Sequence, residues 1–599
     1  MALGTSLAAP YFAGISSVAD SRWDVAIGGH GFMIDMDMID QFGRQTVPMI
    51  RQQSDTSDKP GEASLNPAGL WRRAQESWHR GAGQSWLDKP DSDPHRFNTS
   101  KGVDPWTRYG VTLLPATSNV RVDSSDDQFL ALASDRVYAS DNLNIVVSNV
   151  NDATAWNACS GEPGGRVNSL TSDGTNVYAS FFGNVGIWRA AAGGTVFSMW
   201  VTTNQWALLR YAKGRLLASI DNSIYNPTAA GASPAALYTH PNADWRWTDV
   251  GEGPNHILLA GAAGDRSQIY KTAVKADGTA LDIPTVAATL PDGEVARSIT
   301  GYLGFVVIGT DKGVRFAQSD ANGNLTLGSL IPTAAGVYCA EGQDRFVWFG
   351  WTNYDATSTG LGRLDLSEFT APLTPAYASD IMATTQGSIR SVVTFNGRLV
   401  FAVTGVGTYL ESLTKVASGT VTSGRITYGL PDTKTVIDVD VRHDPLPAAA
   451  AVTLQLATDA GTAVTLGTSD LDGSSVSPAD AFTVNQTRGT FFEVTATLAG
   501  ALTLRRVTLR ADPSADRTTI YQVPLLFHEN VLLRGDVEQF FDVDTEFAYL
   551  TGLLDTRQVV AYQEADATRL VVVEDYTWRP YERTDRFWSG TYIVKMKGV

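Results

Sequence analysis

The chain has 599 residues, about four domain-sized units at roughly 150 residues each and more than one hydrophobic core serves. Apolar residues make up 43%, aromatic residues 10% and charged residues 18%, which excludes wholesale disorder and collagen-like sequence. The net charge of −17 and the pI near 4.9 leave no chain-wide basic field for a phosphate backbone, so nucleic acid is excluded as the main partner.

In chain order, Met1 to Gly14 lacks a basic n-region and its short apolar stretch is broken by Pro10, so no secretory signal is expected. No apolar run approaches the ~18 residues of a membrane helix, which predicts synthesis in the cytoplasm without membrane insertion. Residues 1–110 carry five of the fifteen tryptophans in Gly-, Asp- and Pro-rich chain. Lacking long hydrophobic runs, they predict an arm that packs on something larger. Within it Leu70 to Arg80 reads as a helix, because Trp71, Ala74 and Trp78 fall at i, i+3 and i+7. Such a stripe ordinarily faces the chain's own core.

From about residue 120 to 415 a repeat recurs: an apolar entry, a Gly or Asp turn, and an apolar strand ending in Ala, Gly or Ser. Its small-residue anchors are Ala139, Ala179, Ala218, Ala260, Gly309, Gly350 and Ala402, spaced 39 to 52 residues apart. That period fits a four-stranded propeller blade. Near a propeller axis adjacent sheets crowd, so only small side chains fit between them. The pairs Asp173-Gly174, Lys213-Gly214 and Asn396-Gly397 supply the positive φ that tight hairpins require. The fold expected is mainly β, with a propeller of about seven blades over 111–419. A stack of sandwiches is the competing arrangement.

Val452, Leu454 and Leu456, and likewise Leu502 and Leu504, alternate with polar residues. This period of two predicts a β-sandwich over 420–515. Residues 516–599 form an aromatic, strand-like tail, read as a β-rich interface module. Cys159 and Cys339 are too few for a disulfide framework or a thiolate cluster and read as buried, inert thiols.

No G-x-x-x-x-G-K-S/T loop, H-E-x-x-H or G-x-S-x-G elbow occurs, and the seven histidines are scattered. No catalytic residue, metal or cofactor is expected, and the chain reads as a non-enzyme. Asp35 and Asp37, and Asp438 and Asp440, would each share one strand face, which a solvent-facing strand also produces. Ser172-Asp173-Gly174-Thr175 resembles a fragment of a sialidase box but is not repeated, and reads as a turn. Trp188, Trp245, Trp247 and Trp351 could stack on pyranose rings, although core packing is the simpler reading for each. Trp245 and Trp247 flank Arg246 and would share one strand face.

The strings IGGHGFMID (27–35), QTVPMIRQQSDTSDKPGEASLNPAGLWRRAQESWHRGAGQSWLDKPDSDPHRFNTSKGVDPWT (45–107) and VEDYTWRPYERTDRFWSGTY (573–592) resemble the opening and ending of minor tail proteins of long-tailed bacteriophages of actinobacteria. The resemblance implies a virion structural protein at the tail tip, made in the host cytoplasm. It would be assembled with other tail proteins and would reach the host surface. A closed homo-oligomer such as a trimer, and a host cell-wall glycan as ligand, belong to the same expectation. A receptor-binding or glycan-degrading tail protein is the alternative. The first 110 residues would be the docking arm, with Trp71, Arg72, Arg73, Trp78, Trp86 and Trp106 as candidate docking residues. On that reading, deleting 1–110 leaves the propeller folded and blocks incorporation into particles.

Overall fold

The structure is a computed structural model. It describes residues 22–48 and 71–598, apart from 125–128, 142, 279, 353, 355–357, 384–386, 430–432, 471–478, 485–486, 513–516, 565–566 and 584–586. Strand accounts for 60% and helix for 4%. Two compact units result, a terminal unit drawn from positions 1–53 and 514–599 and a central unit drawn from 54–513.

In the central unit seven four-stranded antiparallel sheets follow one another along the chain. Each of the seven anchors lies on the second strand of its sheet, from Ala139 in Arg136–Asp141 to Ala402 in Arg398–Val403, and each is buried. The crowding expected there is real. A Cβ on Gly350 would lie 2.7 Å from Ile389 of the next sheet, and one on Gly309 would run into Val337 O. The hairpin pairs behave as their residues require. Lys213-Gly214 and Asn396-Gly397 have positive φ at both positions, and Gly174 has φ +83°.

The first strands of successive sheets touch, and the first strand of the seventh, Ile389–Phe395, touches that of the first, Leu130–Ala133. Side chains sew these inner strands together. Leu209 N–H donates to Ser169 Oγ at 3.0 Å, Arg210 Nε to Asp249 Oδ1 at 2.6 Å, and Ile299 N–H to Asp249 Oδ2 at 3.0 Å. Thr300 Oγ1 donates to Ala340 O at 3.1 Å and Ser391 Oγ to Leu130 O at 3.4 Å. The seventh sheet takes its fourth strand, Pro115–Val122, from chain that precedes the first sheet. Sheets linked edge-inward in this cyclic order make a β-propeller.

One inner-strand carboxyl couples this packing to pH. Burial pushes Glu341, on Ala340–Gln343, up to about 7, while Thr394 on the neighbouring inner strand pulls the other way. The unfolded value is about 4.3, so the folded state binds more protons between the two values. Stability should therefore rise as pH falls from about 8 to about 4. Glu341→Gln should raise the melting temperature at pH 8 and flatten this part of the curve. Thermal unfolding at pH 8 and pH 5 checks it, and an unchanged slope in the variant would count against it.

Two further sheets of the central unit share one core. The first has the order Val464–Ser469, Ala451–Thr458, Phe492–Ala499, Ser418–Thr422 and Thr99–Lys101. The second runs Ala479–Thr483, Lys434–His443, Thr503–Asp512, Val111–Leu113 and Val103–Asp104, with Trp71–Gln75 also paired to Thr503–Asp512. Val452, Leu454, Leu456, Leu502 and Leu504 point into this core, as their alternation requires.

The segment expected to be a helix is instead the strand Trp71–Gln75, antiparallel to Thr503–Asp512 from Trp71↔Ala511 to Gln75↔Val507; Leu70 lies outside the described residues. An isolated helix this short is marginal in water. Sheet pairing satisfies the backbone and still buries Trp71 and Trp78. Nor do positions 1–110 form one arm. Their described strands are divided between the two units.

The terminal unit is a seven-stranded antiparallel sheet. Its order is His30–Phe32, Val25–Ile27, Val559–Glu564, Ala567–Arg583, Trp588–Gly598, Arg517–Phe527 and Gly43–Pro48. The helix Val543–Thr556 begins at Asp542, whose carboxylate accepts Thr545 N–H at 3.2 Å. It buries Leu550 and Leu553 with Phe527, Tyr592 and Met596. His30 joins strand to helix, with Nδ1 2.7 Å from Glu546 and its ring stacked on Tyr549 at 3.8 Å.

Candidate docking interface

The terminal unit carries an open cleft of about 670 Å³. Its floor comes from both ends of the chain. Ile34 bridges to Leu525, Asp35 N–H donates to Pro524 O at 2.9 Å, and Thr591 Oγ1 donates to the buried Asp35 carboxylate. Asp35 also accepts Asp37 N–H at 3.0 Å, which starts the 3-10 turn Met36–Gln41. Asp35 and Asp37 are therefore not alternate residues of a strand, as expected, but the cap and first turn of a short helix. Asp24 accepts Ile34 N–H at 3.0 Å and pairs with Arg534 at 2.7 Å.

Above this satisfied floor the rim is apolar and open. Met36 is 69% exposed, Leu532 60% and Tyr581 57%, where large apolar side chains ordinarily find cover. Burial, and then Asp35, Asp37 and Glu582, raise the Tyr581 hydroxyl above its usual value. The Met33-Ile34-Asp35-Met36-Asp37-Met38 run was the sequence signal for this cleft, with its period misassigned.

The candidate docking residues lie elsewhere, in the central unit. Trp71, Trp78 and Trp106 are buried in the shared core, which corrects their assignment as docking residues, since an indole used in its own core is closed to a partner. Trp71 packs on Tyr428 at 5.7 Å, and Trp106 Nε1 donates to Asp380 at 2.7 Å. Arg73 donates to Leu87 O at 2.7 Å. Arg72 is half-buried, as is Trp86, which lies between Lys89 and Arg425 at 4.6 and 5.4 Å.

Trp245, Trp247 and Trp351 are 3%, 5% and 8% exposed, which corrects their assignment as glycan-stacking faces. The Trp245 and Trp247 rings do share one cluster, 5.7 Å apart, but His240 covers Trp245 at 4.2 Å, nearly parallel to it. Trp188 is half-buried, edge-on to Phe181 at 6.5 Å.

Asp438 and Asp440 do share a strand face, where they stand near Arg510 at 2.8 and 3.9 Å. Burial pushes both cysteine thiols up to about 12, which keeps them protonated and unreactive. Among the described residues no group of three or more His, Cys, Asp or Glu is placed to hold a metal ion.

Sequence reasoning also missed a buried charge cluster. Arg363 pairs with Asp380 and with Asp104, the latter at 3.3 Å, and lies over the rings of Trp106, Phe346 and Trp348 at 5.6, 4.6 and 4.6 Å. It joins the sixth propeller sheet to the segment bearing Trp106. Arg80 and Arg108 extend the junction to Glu368 at 2.9 and 3.0 Å.

No protein-family description matches the chain, and neither does any curated protein. Among solved structures, the chain is similar to the β-propeller domain of Cps50 (Swd1) from Myceliophteria thermophila, at 11% identity over 50% of this chain and all of that one, with a TM-score of 0.36. It is similar to BamB from Moraxella catarrhalis at 10% identity over 50% of this chain and 99% of that one, TM-score 0.32. A glycoside hydrolase matches at 9% identity over 66% and 99%, TM-score 0.25. Likenesses of this size bring no activity with them.

Proposed function

We propose that the chain is a non-enzymatic structural component of the tail tip of a long-tailed bacteriophage of actinobacteria. The terminal unit attaches it to other tail proteins. The central unit, a seven-bladed propeller followed by a β-sandwich, forms a rigid body for assembly and host adhesion. The observation that carries this reading is the placement of two of the three resembling strings, the third being divided between the terminal strand Gly43–Pro48 and the central unit. Residues 27–35 and 573–592, more than 500 positions apart, contribute strands to one seven-stranded sheet. A fold closed by both chain ends suits an attachment unit, because the long insertion between them is free to serve another task. Density-gradient-purified particles from an infected culture should contain the chain in constant ratio to the major tail protein. Recovery only in the particle-free fraction would reject the proposal.

A further inference from the structure

The cleft of the terminal unit has a chemistry more specific than attachment in general. Met33, Met36 and Met38 line it, three of the eight methionines in the chain. Thioether side chains are unbranched and polarizable, and they re-pack around different apolar shapes. Leu532 and Tyr581 continue this surface across the opening.

Charge narrows the occupant further. Asp24, Asp35 and Asp37 line the cleft with Arg579, while Asp40 and Glu582 stand exposed on the adjoining turn and strand. Arg534 offsets Asp24 and Asp35 is buried against Thr591, so the open charges at and beside the rim are Asp37, Asp40 and Glu582 against Arg579 and Arg583, a small acidic excess. Such a rim repels an acidic segment and steers a basic one.

We propose that the cleft seats a partner polypeptide segment that inserts apolar side chains between Met33, Met36 and Leu532 and flanks them with lysine or arginine. The inference rests on the reading of this unit as the attachment unit. Met36 and Leu532 are the anchoring contacts because they are large, apolar and uncovered. Asp37 is the steering charge because its carboxylate is exposed, whereas that of Asp35 is buried against Thr591.

The test uses the full chain and two labelled synthetic peptides, one alternating leucine with lysine and one alternating leucine with glutamate, followed by fluorescence polarization. The leucine–lysine peptide should bind saturably and the leucine–glutamate peptide should not. Met36→Ser with Leu532→Ser should weaken binding at least about tenfold, Asp37→Lys should weaken it more at low salt than at high salt, and Met36→Leu should retain it. All these side chains are exposed or at the rim, so circular dichroism should be unchanged. Equal binding of both peptides, or unchanged affinity in the double variant, would overturn the proposal. So would self-association of the chain that the double variant abolishes, since the occupant would then be a second copy.

Complementing a gene-deleted phage separates this inference from the reading beneath it. Wild-type chain in particles with the double variant excluded supports both. Equal incorporation of the two overturns the cleft proposal and leaves the tail assignment standing. Peptide binding that depends on the cleft, with wild-type chain absent from particles, leaves the cleft standing and rejects the tail assignment.

Discussion

Replacing Asp380 with alanine is expected to destabilise the central unit by about 3–5 kcal/mol, because it strands a buried guanidinium. Asp380 is fully buried and Arg363 nearly so. Burial works against the Asp380 carboxylate and Arg363 works for it, so each charge is tolerated on account of the other. Asp104 alone, 3.3 Å from Arg363, is a poorer partner. The same substitution removes the acceptor of the Trp106 indole N–H, adding an unsatisfied buried donor.

The pair itself contributes less than its loss suggests, since both ions were desolvated to form it. Arg363→Met combined with Asp380→Leu should therefore be much less harmful than Asp380→Ala. Denaturant unfolding of Arg363→Met, Asp380→Leu and the double variant gives the coupling. A double variant as damaged as the single one would contradict this account of the junction.

Deleting residues 1–110 is expected to unfold part of the central unit as well as opening the terminal sheet, which differs from the expectation drawn from sequence. The deletion takes Trp71, Trp78, Phe97 and Trp106 out of the core beneath the two paired sheets. It also removes the strands Trp71–Gln75, Thr99–Lys101 and Val103–Asp104 from their edges. Truncating a single buried Phe or Trp costs about 3–5 kcal/mol, against about 5–15 kcal/mol for the whole stability of a typical domain. Protease should then cut within the strands Phe492–Ala499 and Thr503–Asp512 in the truncated chain and spare those strands in the intact one. Equal resistance would show that these residues are dispensable to the core.

The parts of the fold legible in the sequence are those fixed by local rules. Alanine and glycine at the seven anchors report crowding between sheets wherever they occur. Asn396-Gly397 reports a hairpin through backbone sterics alone, and the alternation at Val452, Leu454 and Leu456 reports a sheet with one face buried. What was illegible depends on pairing across long separations. Trp71 and Trp78 carry a helical spacing, yet the strand Thr503–Asp512 outbids helix formation from more than 400 positions away. Nothing near Arg363 announces Asp104, and nothing near Ile27 announces its register partner Tyr562.

The cleft of the terminal unit was half legible for the same reason. The Met/Asp run at 33–38 stood out, but its neighbours Arg579, Tyr581 and Thr591 are brought to it only by the terminal sheet. The candidate tryptophans failed as site residues because a large apolar ring in sequence does not say which side of the surface it occupies. Burial inside the chain's own core claimed most of them.

The central claim is that this chain is built into the tail tip, and its most direct test is location. Gold-labelled antibody raised against the propeller, applied to intact phage particles and viewed by electron microscopy, should mark the tail end and leave capsids bare. Label absent from particles while the protein is abundant in the lysate would contradict the account.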